Sequence, residues 1–465
     1  MERPPRSLCS LPPRGRGSPS GRPFGTDMPH GDETGRPLRL AIVGSGIAGL
    51  GTAWLLQKQG HAVTVFEAAP RAGGHTHTVD VTLDGVTHPV DTGFLVFNDR
   101  TYPHLIALFD ELGVPSVASE MSFSVRDDRS GLEWAGTNLA TLFARPANAL
   151  SPAFWSMLAD ILRFNRETTA ALAAGTLPET TLGAFLDAQR YRRPFRDSYL
   201  VPMAAAIWSS PARDILDFPL PTFVRFCHNH GLLAIDDRPQ WRTVQGGGRV
   251  YVQKIVERLS DVRLGCPVQQ VRRRAGGVEI DSPSRCGERF DGVVLACHSD
   301  QALALLADPS ADERRLLGEV RYQPNRVVLH TDAALLPRRQ RAWAAWNYLA
   351  ADDPEGRRPV SVSYLINRLQ PLPFRKPVVV TLNPAIEPAA HTVINEFEYS
   401  HPLLDARAVR AQDAIARRQG RHATWYAGAW LGYGFHEDGL KSAHAVAASI
   451  ALHAARRGEP VAAAA

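Results

Sequence analysis

The first clear pattern of apolar positions lies at residues 38–67. LRLAIV (38–43) is apolar except for one arginine, and a glycine-containing turn follows it. Apolar residues then recur at three- and four-residue spacing over 47–59, and HAVTVFE (61–67) is a second β-like run. A strand, a turn, a helix and a strand within about 30 residues form a βαβ unit, which predicts the start of a parallel sheet.

The pattern changes several times further along the chain. Residues 123–125 and 133–135 predict a β-hairpin, and residues 139–186 have helical spacing. Further β-like runs lie at 78–83, 87–90, 94–97, 262–264, 268–272, 277–280, 293–296 and in stretches between 327 and 382. We predict that a short strand at 424–427 and a helix at 439–455, capped by Asp438 and with Lys441 in its first turn, return to the first domain.

Charge is unevenly distributed along the chain. The formal net charge is +5, and residues 1–26, with five arginines and one glutamate, contribute +4 of it. The rest of the chain therefore has almost no surplus of cations to neutralise phosphates, so we expect no nucleic-acid partner. Residues 1–37 are rich in Pro, Gly, Ser and Arg, which predicts a disordered tail.

The cysteines and the apolar runs indicate the cellular setting. Five cysteines are scattered without CxxC or another metal-ligand spacing, which is typical of a reducing compartment, so we expect a cytoplasmic protein. No apolar run reaches the roughly 18 residues of a spanning helix, so we predict no transmembrane segment. The run 199–208 predicts a core helix, with a pocket wall or a peripheral membrane contact as alternatives.

Three glycines after the first strand carry the clearest chemical signal. Gly44, Gly46 and Gly49 form G-x-G-x-x-G between a predicted strand and a predicted helix. Gly44 permits a sharp turn, Gly46 lets a pyrophosphate approach the backbone, and Gly49 allows the helix to pack closely on the strand. The sequence therefore predicts a dinucleotide site at this turn.

The residues around these glycines complete the predicted site. Ser45, Ile47 and Ala48 lie where free backbone N–H groups and the positive end of the helix dipole favour phosphate. Glu67 ends the second strand, 18 residues after Gly49, where a carboxylate can accept hydrogen bonds from ribose hydroxyls.

The continuation EAAPRAGG, which begins at Glu67, favours FAD over NAD. It adds Ala68, Arg71 and the pair Gly73–Gly74 beside the same dinucleotide, whereas a simple NAD domain normally proceeds to another helix. The run resembles the extended FAD fingerprint of the glutathione-reductase-like flavoproteins, particularly the flavin amine oxidase and carotenoid desaturase branch. This resemblance implies an α/β fold, with a Rossmann-type FAD-binding domain and an interleaved α+β substrate domain.

Other motifs narrow the resemblance. The chain is similar to a bacterial family of amine-oxidase-like NAD/FAD-binding proteins, often encoded beside cyclopropane-fatty-acid synthases, in five runs: VDTGFLVFN (90–98), VPMAAAIWSSP (201–211), FVRFCHNHGLL (223–233), RPQWRTVQGGGRVYV (238–252) and YAGAWLGYGFHEDGLKSA (426–443). The resemblance implies that Phe94 lies near the flavin ring, that Val268 contacts the adenine through its backbone, and that Gly428 closes the site. It also implies that Gly439 and Leu440 face the pyrimidine edge of the flavin.

The resemblance and the element order together predict three FAD-binding segments that alternate with two substrate-domain segments. The FAD-binding segments are 38–100, 238–304 and 421–465, and the substrate-domain segments are 101–237, largely helical, and 305–420, largely sheet.

Weaker signals concern individual side chains. His75 and His77 flank Thr76, and we interpret His75 and Thr76 as polar neighbours of the cofactor rather than metal ligands, because no carboxylate or cysteine cluster accompanies them. We predict no metal site. His436 is a candidate acid or base close to the flavin, and Lys441 is a candidate for holding negative charge on the reduced ring. The C-terminal loop has no cysteine, which favours noncovalent FAD.

The combined prediction is an FAD-dependent oxidoreductase. We expect an apolar organic substrate, with a lipid acyl chain as the first candidate, that loses a hydride to flavin N5. Two alternatives remain open at this point. One is an amine oxidase in the strict sense, with aromatic residues around the substrate nitrogen, and the other is a flavin-binding accessory subunit of a lipid-modifying enzyme.

Overall fold

The structure, a computed structural model, describes residues 36–208, 210–234, 236, 238–351 and 360–458. The predicted disordered tail at 1–37 therefore lies almost entirely outside the described residues. In the described part the strands are β1 (Arg39–Val43), β2 (Ala62–Phe66), β3 (Thr78–Leu83), β4 (Val86–Asp91), β5 (Phe97–Asn98), β6 (Ser116–Ala118), β7 (Phe123–Asp127), β8 (Leu132–Ala135), β9 (Trp241–Val244), β10 (Val262–Arg263), β11 (Gln270–Arg274), β12 (Gly277–Ser282), β13 (Arg285–Phe290), β14 (Gly292–Leu295), β15 (Arg321–His330), β16 (Trp346–Ala350), β17 (Ser361–Leu365), β18 (Val379–Leu382), β19 (Val393–Leu403) and β20 (Thr424–Tyr426).

Helices connect and cover these strands. The α-helices are α1 (Ile47–Lys58), α2 (Pro103–Leu112), α3 (Leu139–Leu142), α4 (Pro152–Ala173), α5 (Leu182–Ala188), α6 (Arg193–Phe195), α7 (Val201–Trp208), α8 (Ala212–Leu216), α9 (Leu220–Asn229), α10 (Arg249–Val256), α11 (Ser299–Leu305), α12 (Ala311–Gly318), α13 (Ile366–Leu369), α14 (Ala406–Ala416) and α15 (His436–Gly458). A π-helical turn, Arg196–Leu200, joins α6 to α7. Short 3-10 helices lie at Pro146–Leu150, Ala333–Leu335, Gln340–Ala342, Ala390–Thr392, Arg421–Ala423 and Ala429–Leu431.

A five-stranded parallel sheet has the order β10–β2–β1–β14–β20. Its strands come from three distant parts of the chain, so the βαβ prediction for 38–67 is confirmed and extended. The predicted C-terminal strand joins this sheet, with Val293 paired to Thr424 and Leu295 to Tyr426. The predicted α/β fold class, with a Rossmann-type sheet, is thus confirmed.

Helix α15 returns to the N-terminal unit, as predicted for the C-terminal segment. Val446 and Ile450 are buried in one core with Leu40 and Ile42 of β1, while Leu440 is buried with Ile47 at the start of α1. The helix begins at His436, three residues before the predicted start. Because α15 begins at His436, the side chain of this residue faces the loop that contains Phe94.

A second, seven-stranded sheet has the order β19–β15–β18–β17–β16–β7–β8. All its neighbours are antiparallel except β16 and β7, and β7–β8 is the hairpin predicted from the sequence. Helices α4 to α9 cover one face through a core that contains Phe164, Phe195 and Phe223. The run 199–208 is largely buried in that core, as the predicted core helix requires.

The sequence missed strands β6, β9, β13, β16 and β19 and misplaced others. β19 was missed because VINEFEYSHPL is half polar, and β13 because RCGERF has no apolar alternation. The predicted strand at 268–272 begins at Gln270, so Val268 lies in the loop before it. The predicted strand at 94–97 is reduced to Phe97–Asn98. In these segments the backbone conformation depends on tertiary contacts, because the local β-propensity of the residues is weak.

Candidate functional site

The turn after β1 has the geometry that its glycines predict. Gly44 has a φ of +105°, and a Cβ there would lie 2.8 Å from the carbonyl oxygen of Ala296. A Cβ on Gly49 would lie only 2.0 Å from the carbonyl oxygen of Gly44, because α1 packs directly against the turn. A Cβ on Gly46 would meet nothing within 4 Å. Gly46 therefore lies at an open face of the turn, where a bound group can approach the backbone.

Glu67 lies at the end of β2 and contacts this turn. Its carboxylate accepts hydrogen bonds from the Ser45 N–H at 2.9 Å, the Ser45 hydroxyl at 2.5 Å and the Ala69 N–H at 2.8 Å. A carboxylate has about four acceptor positions, so this arrangement leaves capacity for a ribose hydroxyl. Ser45 is fully buried, whereas Ala68 beside Glu67 is exposed.

The second glycine pair faces the first turn. Gly73 and Gly74 have φ values of +111° and +56°, and a Cβ on Gly74 would lie 3.1 Å from Cα of Gly46. The Gly73 N–H donates to the carbonyl oxygen of Ser45 at 3.0 Å, and Arg71 donates to the carbonyl oxygen of Thr76 at 3.2 Å. Two glycine turns thus form a narrow groove without side chains, which fits a pyrophosphate.

Two helices begin beside this groove. A Cβ on Gly439, in the first turn of α15, would lie 2.8 Å from the Ile47 side chain and 3.6 Å from the Ala48 backbone nitrogen. Leu440 packs against Gly51, where a Cβ would lie 2.6 Å from the leucine Cδ2. The first turns of α1 and α15 are therefore neighbours. Both helix dipoles have their positive ends here, which favours an anionic cofactor.

Histidine rings extend the groove beyond Gly74. The ring of His75 lies 5.2 Å from that of Tyr399, 5.5 Å from His401 and 6.1 Å from His298. Burial lowers the pKa of His75 to about 3 and that of His401 to about 4. Nε2 of His75 is buried and has no hydrogen-bond partner within the described residues. An unsatisfied nitrogen beside two glycine turns fits a ligand such as the dinucleotide.

A second group of side chains lies where α15 begins. The rings of Phe94 and His436 are stacked, with centroids 3.6 Å apart. Nε2 of His436 lies 2.9 Å from the Thr76 hydroxyl and 3.1 Å from the Tyr251 hydroxyl. Burial lowers the pKa of His436 to about 3, so the ring is neutral at pH 7. The structure thus brings together Thr76, Phe94 and His436 and adds Tyr251, which the sequence analysis did not single out.

Asp91, at the end of β4, supports this group from behind. Its carboxylate accepts hydrogen bonds from the Thr78 hydroxyl, the Gly248 N–H and the Gln370 amide. Burial raises its pKa to about 6. Because Gly248 precedes α10, Asp91 anchors the N-terminus of the helix that carries Tyr251.

Val268 and Gly428 lie in loops at the two ends of the groove. The Gly265 and Cys266 N–H groups donate to the carbonyl oxygens of Ala69 and Glu67, which brings the loop of Val268 to the acidic end. A Cβ on Gly428 would lie 2.3 Å from Nε1 of Trp430. Contact with FAD remains a prediction for both residues.

Two expectations about α15 need correction. Asp438 was expected to cap the helix, but it lies at the third helical position, where its carboxylate accepts from the Phe435 N–H at 3.0 Å. Lys441 was expected in the first turn but lies in the second and is exposed, because the helix begins at His436. Helix-dipole effects weaken beyond the first turn, so its influence on the flavin remains a prediction.

No group of three or more His, Cys, Asp and Glu side chains in the described ranges could hold a metal ion. His298, near the groove, stacks on an aromatic ring: its ring centroid lies 4.2 Å from that of Tyr322. The candidate cofactor site is therefore the glycine groove, and it is a site for an organic cofactor.

The parallel sheet, the two glycine turns and the paired helix N-termini define a dinucleotide-binding flavoprotein with an interleaved second domain. The family model for flavin containing amine oxidoreductase matches residues 47–374. The chain therefore belongs to the family of flavin-containing amine oxidoreductases. The predictions of the family branch, an FAD-dependent oxidoreductase and an FAD cofactor are confirmed. Noncovalent attachment remains a prediction.

Individual relatives show how far this similarity extends. The chain is 29% identical over 285 residues to AofH of Mycobacterium tuberculosis, which is named as a flavin-containing monoamine oxidase; the match covers 58% of this chain and 59% of AofH. It is 28% identical over 296 residues to the carotenoid phi-ring synthase of Streptomyces griseus, covering 59% and 55% of the two chains. A triple mutant of putrescine oxidase has the same fold, with a TM-score of 0.65, 18% identity and coverage of 90% and 99%. The chain thus spans less than two thirds of the length of AofH and of the carotenoid phi-ring synthase.

Proposed function

We propose that this protein oxidises an apolar substrate that carries an acyl oxygen, such as a lipid acyl chain, with FAD as the electron acceptor. When bound, FAD supplies a ring nitrogen that takes a hydride from a substrate carbon. The residues named in the candidate site hold the cofactor, in particular Gly46, Gly74 and Glu67. The proposed substrate class is argued from the aromatic side chains around Trp346.

We place the substrate beyond Phe94 and His436, where the neighbouring side chains are apolar. Tyr433 and Phe435, which precede α15, pack with Trp346 and Tyr364 of the seven-stranded sheet against the helical core. The rings of Trp346 and Tyr364 are perpendicular, with centroids 5.0 Å apart. Such side chains exclude water and bind alkyl chains by the hydrophobic effect.

One buried donor distinguishes the substrate classes. Nε1 of Trp346 is buried and has no hydrogen-bond partner among the residues that the structure describes; Nε1 of Trp54 and of Trp134 share this feature, but they lie in other clusters, away from the proposed substrate. An indole N–H is a donor only, so it can pair with a carbonyl or carboxylate oxygen but not with an ammonium group, which has no acceptor. Leaving this donor unpaired costs about 1–3 kcal/mol, and a substrate oxygen would recover that energy. This observation carries the choice of an acyl substrate.

Two polar groups beside Phe94 are uncharged at pH 7. His436 is neutral because burial lowers its pKa, and burial likewise raises the pKa of the Tyr251 hydroxyl, which therefore stays protonated. We infer that these two groups, with Thr76, orient the bound ring by hydrogen bonds and hold their protons during the reaction. An uncharged, dry site is suited to hydride transfer from a C–H bond.

An amine substrate is the second candidate. The perpendicular pair Trp346 and Tyr364 has the form of an aromatic cage, and the relative AofH is named as a monoamine oxidase. In this alternative the ring faces, rather than the indole N–H, would contact the substrate through cation–π attraction.

Anaerobic flavin bleaching tests the two candidates. We expect fatty-acyl compounds to bleach the flavin and primary amines of similar size to leave it oxidised. Trp346→Phe keeps an aromatic ring but removes the donor, so the apparent KM for an acyl substrate should rise about tenfold with little change in FAD content.

A matched variant separates this effect from general disturbance. Nε1 of Trp343 already donates to the carbonyl oxygen of Pro337 at 2.7 Å, so Trp343→Phe should leave the KM unchanged. Bleaching by amines alone, or equal KM values for Trp346→Phe and the wild type, would refute the acyl proposal.

A further inference from the structure

Large apolar side chains are exposed together on the helical side of the molecule. Leu139, Leu150, Trp155 and Leu162 are 73%, 86%, 52% and 55% exposed. We call these four residues the apolar face. The other exposed large apolar residues in the described ranges are scattered over distant elements, so the apolar face is a local concentration rather than the usual surface background.

Contacts join three of these residues into one surface. The indole N–H of Trp155 donates to the carbonyl oxygen of Ala149 at 2.9 Å, which fixes the ring beside Leu150. The ring of Phe143 lies 5.6 Å from that of Trp155, and the Phe143 N–H bonds to the carbonyl oxygen of Leu139. Leu162 lies two helical turns beyond Trp155 on α4.

The segment that presents these residues is firmly attached. The buried amide of Asn148 donates to the carbonyl oxygens of Glu133 and Leu142 at 2.9 and 3.2 Å. Asn138 caps α3 by accepting from the Thr141 N–H, and Ser151 caps α4. Because polar groups behind the surface hold the backbone, the exposed leucines are a fixed feature of the fold.

Few charges surround the apolar face. Residues 134–159 contain a single charged residue, Arg145. The exposed positions along α4 contain no acidic residue and are Pro152, Ala153, Trp155, Ala159, Leu162, Arg166, Ala170 and Ala173. Two flanking carboxylates are buried in ion pairs, Glu133 with Arg339 and Asp160 with Arg192, and the partly exposed Glu167 is paired with Arg163.

We propose that the apolar face docks the protein on a lipid bilayer that contains anionic lipids. Leucine side chains would enter the acyl region, Trp155 would lie at the headgroup level, and Arg145 and Arg166 would contact lipid phosphates. None of the helices in the described residues is long and apolar enough to cross a membrane, so the contact is with one surface.

The apolar face lies directly over the core that leads to the proposed reaction space. Phe143, next to Trp155, packs in one cluster with Phe154, Trp134 and Tyr348. Tyr348 also packs in the cluster that contains Trp346 and Phe435. A docked protein would thus have continuous apolar packing between the bilayer and the site, although docking itself does not depend on which substrate is oxidised.

Vesicle sedimentation tests the proposal without any substrate. The FAD-loaded protein is mixed with vesicles of phosphatidylcholine and phosphatidylglycerol, or of phosphatidylcholine alone. We expect binding to the mixed vesicles, and at least about tenfold weaker partitioning for Leu150→Glu/Trp155→Glu, because two anchors are replaced by charges that anionic lipids repel. FAD content and melting temperature of the variant should match the wild type, since both positions are exposed.

Leu452→Glu is the matched control, because Leu452 is 64% exposed on α15, away from the apolar face. It should bind vesicles like the wild type. As a second measurement, brominated lipids should quench less fluorescence in Trp155→Phe than in the wild type. Equal vesicle binding by the double variant and the wild type would overturn the proposal. It would also be overturned if the wild type did not bind vesicles but formed a dimer that the double substitution dissociates.

Discussion

The cofactor groove and the apolar space beside it are built in opposite ways. The groove is formed by backbone, where Gly44, Gly46 and Gly74 leave no side chain. The apolar space is formed by large side chains, such as Trp346 and Phe435, from elements far apart in sequence. A backbone site is sensitive to any added atom, whereas a side-chain site depends on shape and on individual polar groups. Substitutions can test this difference.

The largest effects are expected in the glycine turn. Gly49→Ala would push a methyl group against the Gly44 carbonyl, which is 2.0 Å from the required Cβ position, and should destabilise the fold by about 3 kcal/mol or more. Urea unfolding measures this loss. A stability equal to that of the wild type would show that α1 does not pack on the turn as described.

Gly46→Val should separate binding from folding in the same turn. Its Cβ enters open space and its φ of −65° suits any residue, so stability should be nearly unchanged, but FAD binding should be lost because the side chain fills the groove. Flavin absorbance and melting temperature measure the two properties. Gly318→Val, where a Cβ also meets nothing within 4 Å, should retain FAD. Retained stoichiometric FAD in Gly46→Val would refute the location of the pyrophosphate.

An intermediate effect is expected where the C-terminal helix contacts α2. The buried carboxylate of Glu437 accepts from the N–H groups of His104 and Leu105, both at 3.1 Å, at the start of α2. Glu437→Ala should therefore cost about 2 kcal/mol of unfolding free energy, and Glu437→Gln about half as much. An alanine variant as stable as the wild type would show that this contact does not stabilise the fold.

Buried titratable groups should make the stability of the fold depend on pH. Burial lowers the pKa of His230 and His330 to about 4, so the folded protein holds them neutral while the unfolded chain takes up protons below about pH 6.5. Their contribution to stability is present above that pH and is lost as the pH falls toward 4. Asp91, with a pKa raised to about 6, acts in the opposite direction between about pH 6 and 4.

Urea unfolding with excess FAD at about pH 7.5 and about pH 5 measures this response. Stability should be lower at the acidic pH, by at most about 1.4 kcal/mol per pH unit for each histidine. His330→Asn should show a shallower decline. An unchanged slope in this variant would refute the contribution of His330.

The smallest effect is expected at Lys441. Lys441→Met removes one exposed cation from the second turn of α15. If the side chain helps to hold negative charge on the reduced ring, the flavin reduction potential falls slightly while stability stays the same. A potential unchanged within error would exclude that role.

The glycine fingerprint was predictable because its physical demands are local. Gly44, Gly46, Gly49 and Glu67 follow one another within a single βαβ unit, and each requirement, a turn, a close approach or an acceptor, depends on neighbours in sequence. That the C-terminal strand joins the first domain was also predictable, with the help of the family resemblance, but its pairing with β14 was not.

The remaining features depended on contacts between distant segments. Tyr251 reaches Thr76 and His436 because Asp91 anchors α10, and no local pattern indicates that arrangement. The indole N–H of Trp346 is unpartnered because, within the described residues, the fold places no acceptor beside it. Leu150 is exposed because no other element of the described part of the chain packs over it. The sequence determined the glycine turns that we propose as the dinucleotide site, because backbone geometry is encoded locally. Tertiary structure decided what surrounds the flavin and which surface stays apolar, because burial is a property of the whole fold.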